Sequence, residues 1–221
     1  MAHRLARRSV EAGLVAAAVA LLLAQGARSL QGLQATEAWW MIPGAFVLGV
    51  LCADFATGTV HWFCDRFFDE TTPILGPALI HPFREHHVDP QGMVRHGLLE
   101  LHGNSAIPVI AVLGAALLSE SSPTSPGVVA LHLWIFFLCA GSMATNQFHM
   151  WAHAPSVPGP VRWLQRHGVI LSPERHALHH GGRFDRSYCM TSGWMNPPLD
   201  RIDFFGRIER GFRVLQSSVR G

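Results

Sequence analysis

Four apolar runs punctuate the chain, over residues 12–24, 39–60, 106–118 and 128–148. About 20 largely apolar residues are needed to cross a bilayer, so the second and fourth runs read directly as spans. The first and third are short, and become spans when flanking polar side chains reach for the interfaces or neighbouring helices shield them. The pattern therefore predicts an all-α integral membrane protein with about four transmembrane helices. Pro155, Pro158, Gly159 and Pro160 break the chain after the fourth run, and a cap of loops and short helices is expected from there to about Gly206. This divides the sequence into a basic segment with the first membrane helix (1–49), a main body (50–206) and a C-terminal tail (207–221). Arg4, Arg7 and Arg8 before the first run, with Ala24-Gln25-Gly26-Ala27 after it, also resemble a cleavable signal segment; a retained helix is the reading adopted.

Composition agrees with lipid as the solvent: 49% of residues are hydrophobic and 14% charged, where soluble domains carry about 25% charge. All 17 basic residues are Arg, and sixteen fall on one side of a four-span arrangement. By the positive-inside rule that side is cytoplasmic, with both termini and the 61–104 segment on it, as expected for a bacterial inner-membrane protein. The net charge of +2 comes with no basic block, so nucleic acid is excluded as a partner. Cys52, Cys64, Cys139 and Cys189 form no C-x-x-C pair and read as small buried hydrophobes rather than a disulfide framework. Trp39 and Trp40 sit where an interfacial aromatic anchor belongs.

Fourteen histidines are the anomaly. His149 and His153 stand one helical turn apart, so both rings can reach one ion from the same face. The pair is not a zinc-protease motif, because Met150 occupies the place of the required Glu. His176, His179 and His180 concentrate three imidazoles within little more than a turn, a density that favours neutral, metal-bound rings over mutually repelling imidazolium. His86 and His87 follow Arg84-Glu85, and His96 comes nine residues later. His61 and Asp65 close the second apolar run at i,i+4, where the carboxylate can ligate a metal or orient a ring. Glu100, His102 and Asn104 lie close enough for supporting roles, Asn104 as a holder of water or as a helix cap. His3, His81, His132 and His167 stand apart and are expected to be structural or solvated.

Every cluster lands on the same predicted membrane face. Nine imidazoles (His61, His86, His87, His96, His149, His153, His176, His179, His180) exceed what one tetrahedral zinc accepts and suit two ions with near-octahedral shells and open positions. Two iron ions with dioxygen as co-substrate are the expectation, with zinc as the alternative. An alkyl C–H bond has no acidic proton or leaving group, so a lipid chain at a membrane edge needs such an oxidant. No ferredoxin, flavin or haem motif occurs, so electrons must come from an external electron-transfer protein.

The motifs resemble the Kua-type lipid desaturase family, whose branches include animal plasmanylethanolamine desaturases, a bacterial light-response protein of carotenogenesis and a plastid phosphatidylglycerol desaturase. The resemblance covers roughly residues 50–206, the expected desaturase domain. It rests on Ala53-Asp54-Phe55, Gly58, Val60-His61-Trp62 with Asp65, and Pro82-Phe83-Arg84-Glu85-His86-His87 with Asp89-Pro90. It continues through Arg95-His96, Glu100, Asn146-Gln147, His149, Trp151, His153, His176-x-x-His179-His180, Tyr188-Cys189, Gly193-Trp194 and Asn196. It implies a di-iron centre held by the nine histidines, a b-type cytochrome or ferredoxin system as electron donor, and a membrane phospholipid or ether-lipid substrate. The implied reaction forms the vinyl ether of a plasmalogen; acyl-lipid desaturation, lipid hydroxylation and a non-enzymatic light- or stress-signalling role are the alternatives. His81, Gly97, His102 and Ser105 depart from the family pattern, which bears on the substrate rather than the metal scaffold.

Overall fold

The structure is a computed structural model that describes residues 2–119 and 125–219, with the side chains of 5–77, 79–119 and 125–215; the side chain of His3 lies outside them. Four long helices, α1 (Ala2–Thr36), α2 (Ile42–Arg66), α4 (Leu98–Leu118) and α5 (Pro126–His153), are long and apolar enough to cross a membrane. Short helices make up the remainder: α3 (His81–Val88), α6 (Gly159–Arg166), α7 (Pro173–His180), α8 (Asn196–Arg201) and α9 (Phe204–Val219). No strand occurs among the described residues.

The two short apolar runs lengthen for identifiable reasons. Around the first, Ala, Leu, Arg and Gln continue as good helix formers, and the polar residues they bring find hydrogen-bond partners on neighbouring helices. Gln25 Nε2 donates to the His132 carbonyl at 3.0 Å and lies 2.9 Å from His132 Nδ1. Arg28 donates to the carbonyls of Ala116 (3.2 Å) and Ser119 (2.8 Å) at the end of α4. In α4 the helix begins eight residues before the third run, because Glu100 and His102 face polar partners: Glu100 meets Arg7 of α1 at 3.1 Å, and His102 Nδ1 lies 3.0 Å from the Met143 carbonyl.

α5 is the central helix, packed against α1, α2 and α4. Lipid tails are as apolar as Leu, so close backbone approach through small residues replaces a hydrophobic drive between spans. At the α2–α5 crossing a Cβ on Gly49 would lie 2.5 Å from Phe137 Cβ, and one on Gly141 would lie 2.9 Å from the Ala53 methyl. Cys64, Cys139 and Cys189 are buried and all four cysteines are free, while Trp39 and Trp40 stand exposed before α2.

The C-termini of α2 and α5 and the N-termini of α1 and α4 meet at one end, where α3 and α7 cover them. Residues 207–219, read from the sequence as tail, continue the helix α9. It docks through a bidentate pair, Arg66 Nε and Nη2 to Glu209 at 2.8 and 2.9 Å, and through Phe205 against Trp62 and Tyr188.

One non-helical segment, residues 187–195, drops between α2 and α5. A Cβ on Gly58 would lie 2.7 Å from Cys189 Sγ, and Thr191 Oγ1 lies 2.7 Å from Thr145 Oγ1. Irregular backbone at this depth survives only when its polar groups are paired. Asp54, fully buried in α2, does the pairing: Oδ1 accepts from the backbone N–H of Thr191 (2.9 Å), Ser192 (2.9 Å) and Gly193 (3.1 Å), and Oδ2 from Met195 N–H and the Ser192 hydroxyl, both at 3.1 Å. Replacing Asp54 with Asn puts an amide donor against the Met195 N–H. The expected cost is about 1–3 kcal/mol, read as a lowered unfolding temperature in detergent, with Asp54→Glu recovering less than half of the loss.

Candidate metal centre

Four helices contribute imidazoles at the capped end. α2 ends with His61 and Asp65, α3 carries His86 and His87, α5 ends with His149 and His153, and α7 carries His176, His179 and His180. Spacing along each helix sets the pairs: i,i+4 in α5 and between His176 and His180 stacks two rings on one face. Ser172 caps α7 by accepting from Arg175 N–H at 3.3 Å, and Pro173 opens it, which fixes where that short helix presents its three rings.

The rings gather into two adjoining groups that can hold metal. His86, His149, His153, His176 and His180 form one; His61, His86, His87 and His179 form the other, and within each group the ligand atoms lie within 4.8 Å of one another. In the first, Nε2 atoms face Nε2 atoms: His149 to His176 at 2.9 Å, His149 to His153 at 3.2 Å, His153 to His176 at 2.8 Å and His176 to His180 at 3.0 Å. His87 and His179 Nε2 are 3.0 Å apart in the second. Metal–nitrogen bonds of about 2.1 Å put adjacent ligands of one ion about 3.0 Å apart, so these spacings fit a shared centre. Asp65 joins the second group, its Oδ2 lying 3.3 Å from His61, 3.5 Å from His179 and 3.7 Å from His87 Nε2.

Backbone carbonyls set the ring orientations. His61 Nδ1 lies 3.2 Å from the Tyr188 carbonyl and His179 Nδ1 2.7 Å from that of Arg186, so each ring donates from Nδ1 and turns Nε2 inward. Those carbonyls belong to the segment held by Asp54, and it is further pinned by Asn196 on the Cys189 backbone and by Asp200 on Ser187. Burial first, then neighbouring imidazoles, pushes His87 down to about 3 and His180 down to about 4, and holds His86 and His176 well below the usual histidine range. Near neutral pH these rings are uncharged and keep their lone pairs.

Several buried polar atoms here have no hydrogen-bond partner within the protein: His61 Nε2, His86 Nε2 and both carboxylate oxygens of Asp65. A buried carboxylate that meets only neutral imidazoles and makes no hydrogen bond is costly, and a pocket of lone pairs of this kind fits a cation. Donor number, donor type and spacing thus agree with a metal centre.

Eight of the nine expected histidines enter the two groups; His96 does not. It is exposed, in the turn before α4, and lines a cavity of about 80 Å³ together with Glu100, Asn104, Asn146, His86 and His149. Glu100 and Asn104 reach the centre only through that cavity, whereas Asp65 touches it. His132 and His167 hold structural bonds, His167 Nδ1 capping the Trp163 carbonyl at 2.8 Å. Asp54 entered the sequence reading only as part of the family pattern, although the sole charged residue in the 39–60 run is a signal in itself. The Tyr188 and Arg186 carbonyls leave no trace in side-chain identity.

The family model for the lipid desaturase domain matches residues 50–218. Plasmanylethanolamine desaturase of Myxococcus xanthus is 43% identical over 171 residues, covering 77% of this chain and 60% of that protein. Plasmanylethanolamine desaturase 1 of Mus musculus is 37% identical over 167 residues, 74% of this chain and 62% of that protein. The chloroplastic fatty acid desaturase 4 of Arabidopsis thaliana is 33% identical over 175 residues, 78% of this chain and 51% of that protein. The chain thus spans about three-fifths or less of the length of these relatives, and no solved structure matches it. With its matched region enclosing the whole histidine centre, this chain belongs to the lipid desaturase family.

Proposed function

We propose that the protein is a membrane lipid desaturase that introduces a double bond into a lipid chain, with the alkyl-ether chain of plasmanylethanolamine as the leading substrate. The observation that carries the reading is the convergence of eight imidazoles and a buried carboxylate at one end of a membrane-length helical bundle. The two relatives named as plasmanylethanolamine desaturases support the ether-lipid substrate; the plant relative named as a fatty acid desaturase supports an acyl chain as the second reading.

In this reading His61, His87, His179 and Asp65 would hold one iron and His149, His153, His176 and His180 the other, with His86 available to both groups. Bound iron would supply the oxidising power to remove two hydrogens from adjacent chain carbons, which with dioxygen, two electrons from an external carrier and two protons from solvent make two waters. The chain's own residues do the rest. Tyr188 and Arg186 carbonyls hold the His61 and His179 Nδ1 protons, so that neither ring can turn its lone pair away. Closely packed spans bury five of the eight rings and limit the access of bulk water to the centre. Glu100 and Asn104 stand on the cavity wall with His86 and His149, where they can position a water on the approach to the first group, and His96 supplies a ninth imidazole from the same wall. The arginine asymmetry supports a cytoplasmic cap on an inner membrane.

Purified protein is expected to carry about two irons per chain, the number the donor set can saturate. His149→Ala and His179→Ala should each lose at least one by elemental analysis; zinc in place of iron overturns the oxidative mechanism. Expression in a host that makes plasmanyl lipids should yield acid-labile vinyl ethers, detected by mass spectrometry; new acyl double bonds without vinyl ethers would assign the acyl substrate instead. The histidine environment also fixes a pH dependence. Unfolded histidines protonate through about 6.5, whereas His87 and His180 in the folded chain wait until about 3 and 4, so acid adds protons to the unfolded state first. The metal-free protein should therefore keep the stability linked to these rings above pH 6.5 and lose it progressively as pH falls from 6.5 to about 3, measured as unfolding temperature against pH.

A further inference from the structure

A larger cavity, of about 560 Å³, opens on the cap surface on the opposite side of α3 from the small one, and its floor is formed by Asp65 and His87 of the second histidine group. Its walls carry both signs of charge. Arg84 reaches in from α3, its guanidinium held by the carbonyls of Cys64 (3.3 Å), Asp65 (3.4 Å) and Phe68 (2.7 Å), and no carboxylate pairs with it among the described residues. Arg183, largely exposed and paired with Asp185 at 3.1 Å, stands at the mouth. Across from them two half-exposed carboxylates converge on one imidazole: Glu70 Oε2 lies 2.8 Å from His81 Nδ1, and Glu85 Oε2 3.6 Å from His81 Nε2.

We propose that this cavity binds the headgroup of the lipid substrate, with the phosphate on Arg84 and Arg183 and a primary ammonium between Glu70 and Glu85. The inference rests on the lipid-desaturase reading and adds to it a site for the headgroup and the residues that would select it. Three features argue for a phosphoethanolamine rather than another headgroup. A cation without a carboxylate partner, beside the floor of a cavity, calls for an anion, and a guanidinium suits phosphate. Paired carboxylates call for a cation, which excludes a phosphoglycerol headgroup. A quaternary ammonium has no N–H to donate and is recognised by cages of aromatic faces, whereas the single aromatic ring in this lining, Phe184, is already stacked on His87 at 4.1 Å.

The position of the cavity also selects which carbons react. Arg84 is bonded to the carbonyl of Asp65, whose side chain touches the second histidine group. The phosphate of a glycerolipid and the first carbons of its sn-1 chain are joined through the glycerol by a few bonds of about 1.5 Å each, a reach under about 10 Å. A headgroup seated here brings the carbons next to the glycerol oxygen to the metal centre and leaves mid-chain carbons beyond it.

The test is equilibrium binding of short-chain phosphatidylethanolamine, phosphatidylcholine, phosphatidylglycerol and free O-phosphoethanolamine to the full-length, metal-loaded protein in detergent, by titration calorimetry. Wild type should bind phosphatidylethanolamine about tenfold more tightly than phosphatidylcholine, the scale of two partly exposed charge pairs. The Glu70→Gln/Glu85→Gln double variant should bind the two lipids alike, and Arg183→Gln should weaken both. Arg84→Gln serves as a further arm only where its iron content and unfolding temperature match wild type. Equal binding of all three lipids by wild type, or an ethanolamine preference that survives the double variant, would overturn the site. Free O-phosphoethanolamine binding as tightly as the lipid would overturn the lipid as its occupant. Because binding is read without turnover, an intact ethanolamine preference without any lipid desaturation counts against the chemistry alone, and desaturation indifferent to headgroup counts against the site alone.

Discussion

A carboxylate buried within a membrane-length helix is among the most expensive groups a bilayer protein can carry, and Asp54 is tolerable only because five donors converge on it. All five come from a single segment of the cap. The clamp therefore does more than neutralise one charge. It draws residues 191–195 into the crease between α2 and α5 and fixes the stretch before them, whose carbonyls at Arg186 and Tyr188 orient His179 and His61. Span, irregular loop and imidazole tautomer form one mechanical chain, and the metal centre inherits its precision from an ion–dipole contact well away from it.

The histidine centre is built against the usual preferences of the residues that form it. Eight imidazoles and an aspartate share a largely buried space, and several of their lone pairs find no donor in the protein. Such an arrangement is unfavourable when empty of cations and favourable when filled, so folding and metal capture are thermodynamically linked. Two carbonyl-locked rings, a helix cap at Ser172 and the tight α2–α5 crossing hold the donors in place, so little reorganisation remains at the moment of binding.

Much of this was legible in the sequence. α2 and α5 could be read from the lengths of their apolar runs, and the i,i+4 and i,i+3 spacings of the histidines placed them correctly on helix faces. What escaped was non-local. The extension of α1 depends on Gln25 meeting His132, a partner 107 residues away, and α9 forms because Glu209 finds Arg66 and Phe205 finds Trp62, so its polar, arginine-rich sequence reads as tail. His96 resembles the other histidines in composition, yet it sits in a turn before α4, and no spacing rule locates a turn relative to two helix ends. The reach of Asp54 to a loop more than a hundred residues downstream is likewise invisible until both are in one fold.

That separation has a consequence for how the protein is made. The backbone groups that receive Asp54 lie 137 to 141 residues further along the chain. Ribosomes add about 5–20 residues per second, so α2 can enter the bilayer on the order of ten seconds before its carboxylate has anything to bind. During that interval Asp54 must be protonated, hydrated at a thinned interface or sheltered by the insertion machinery. The bundle is therefore locked by a segment made after all four long helices, and the metal centre, whose α7 ligands follow them, can close only after translation has passed α5.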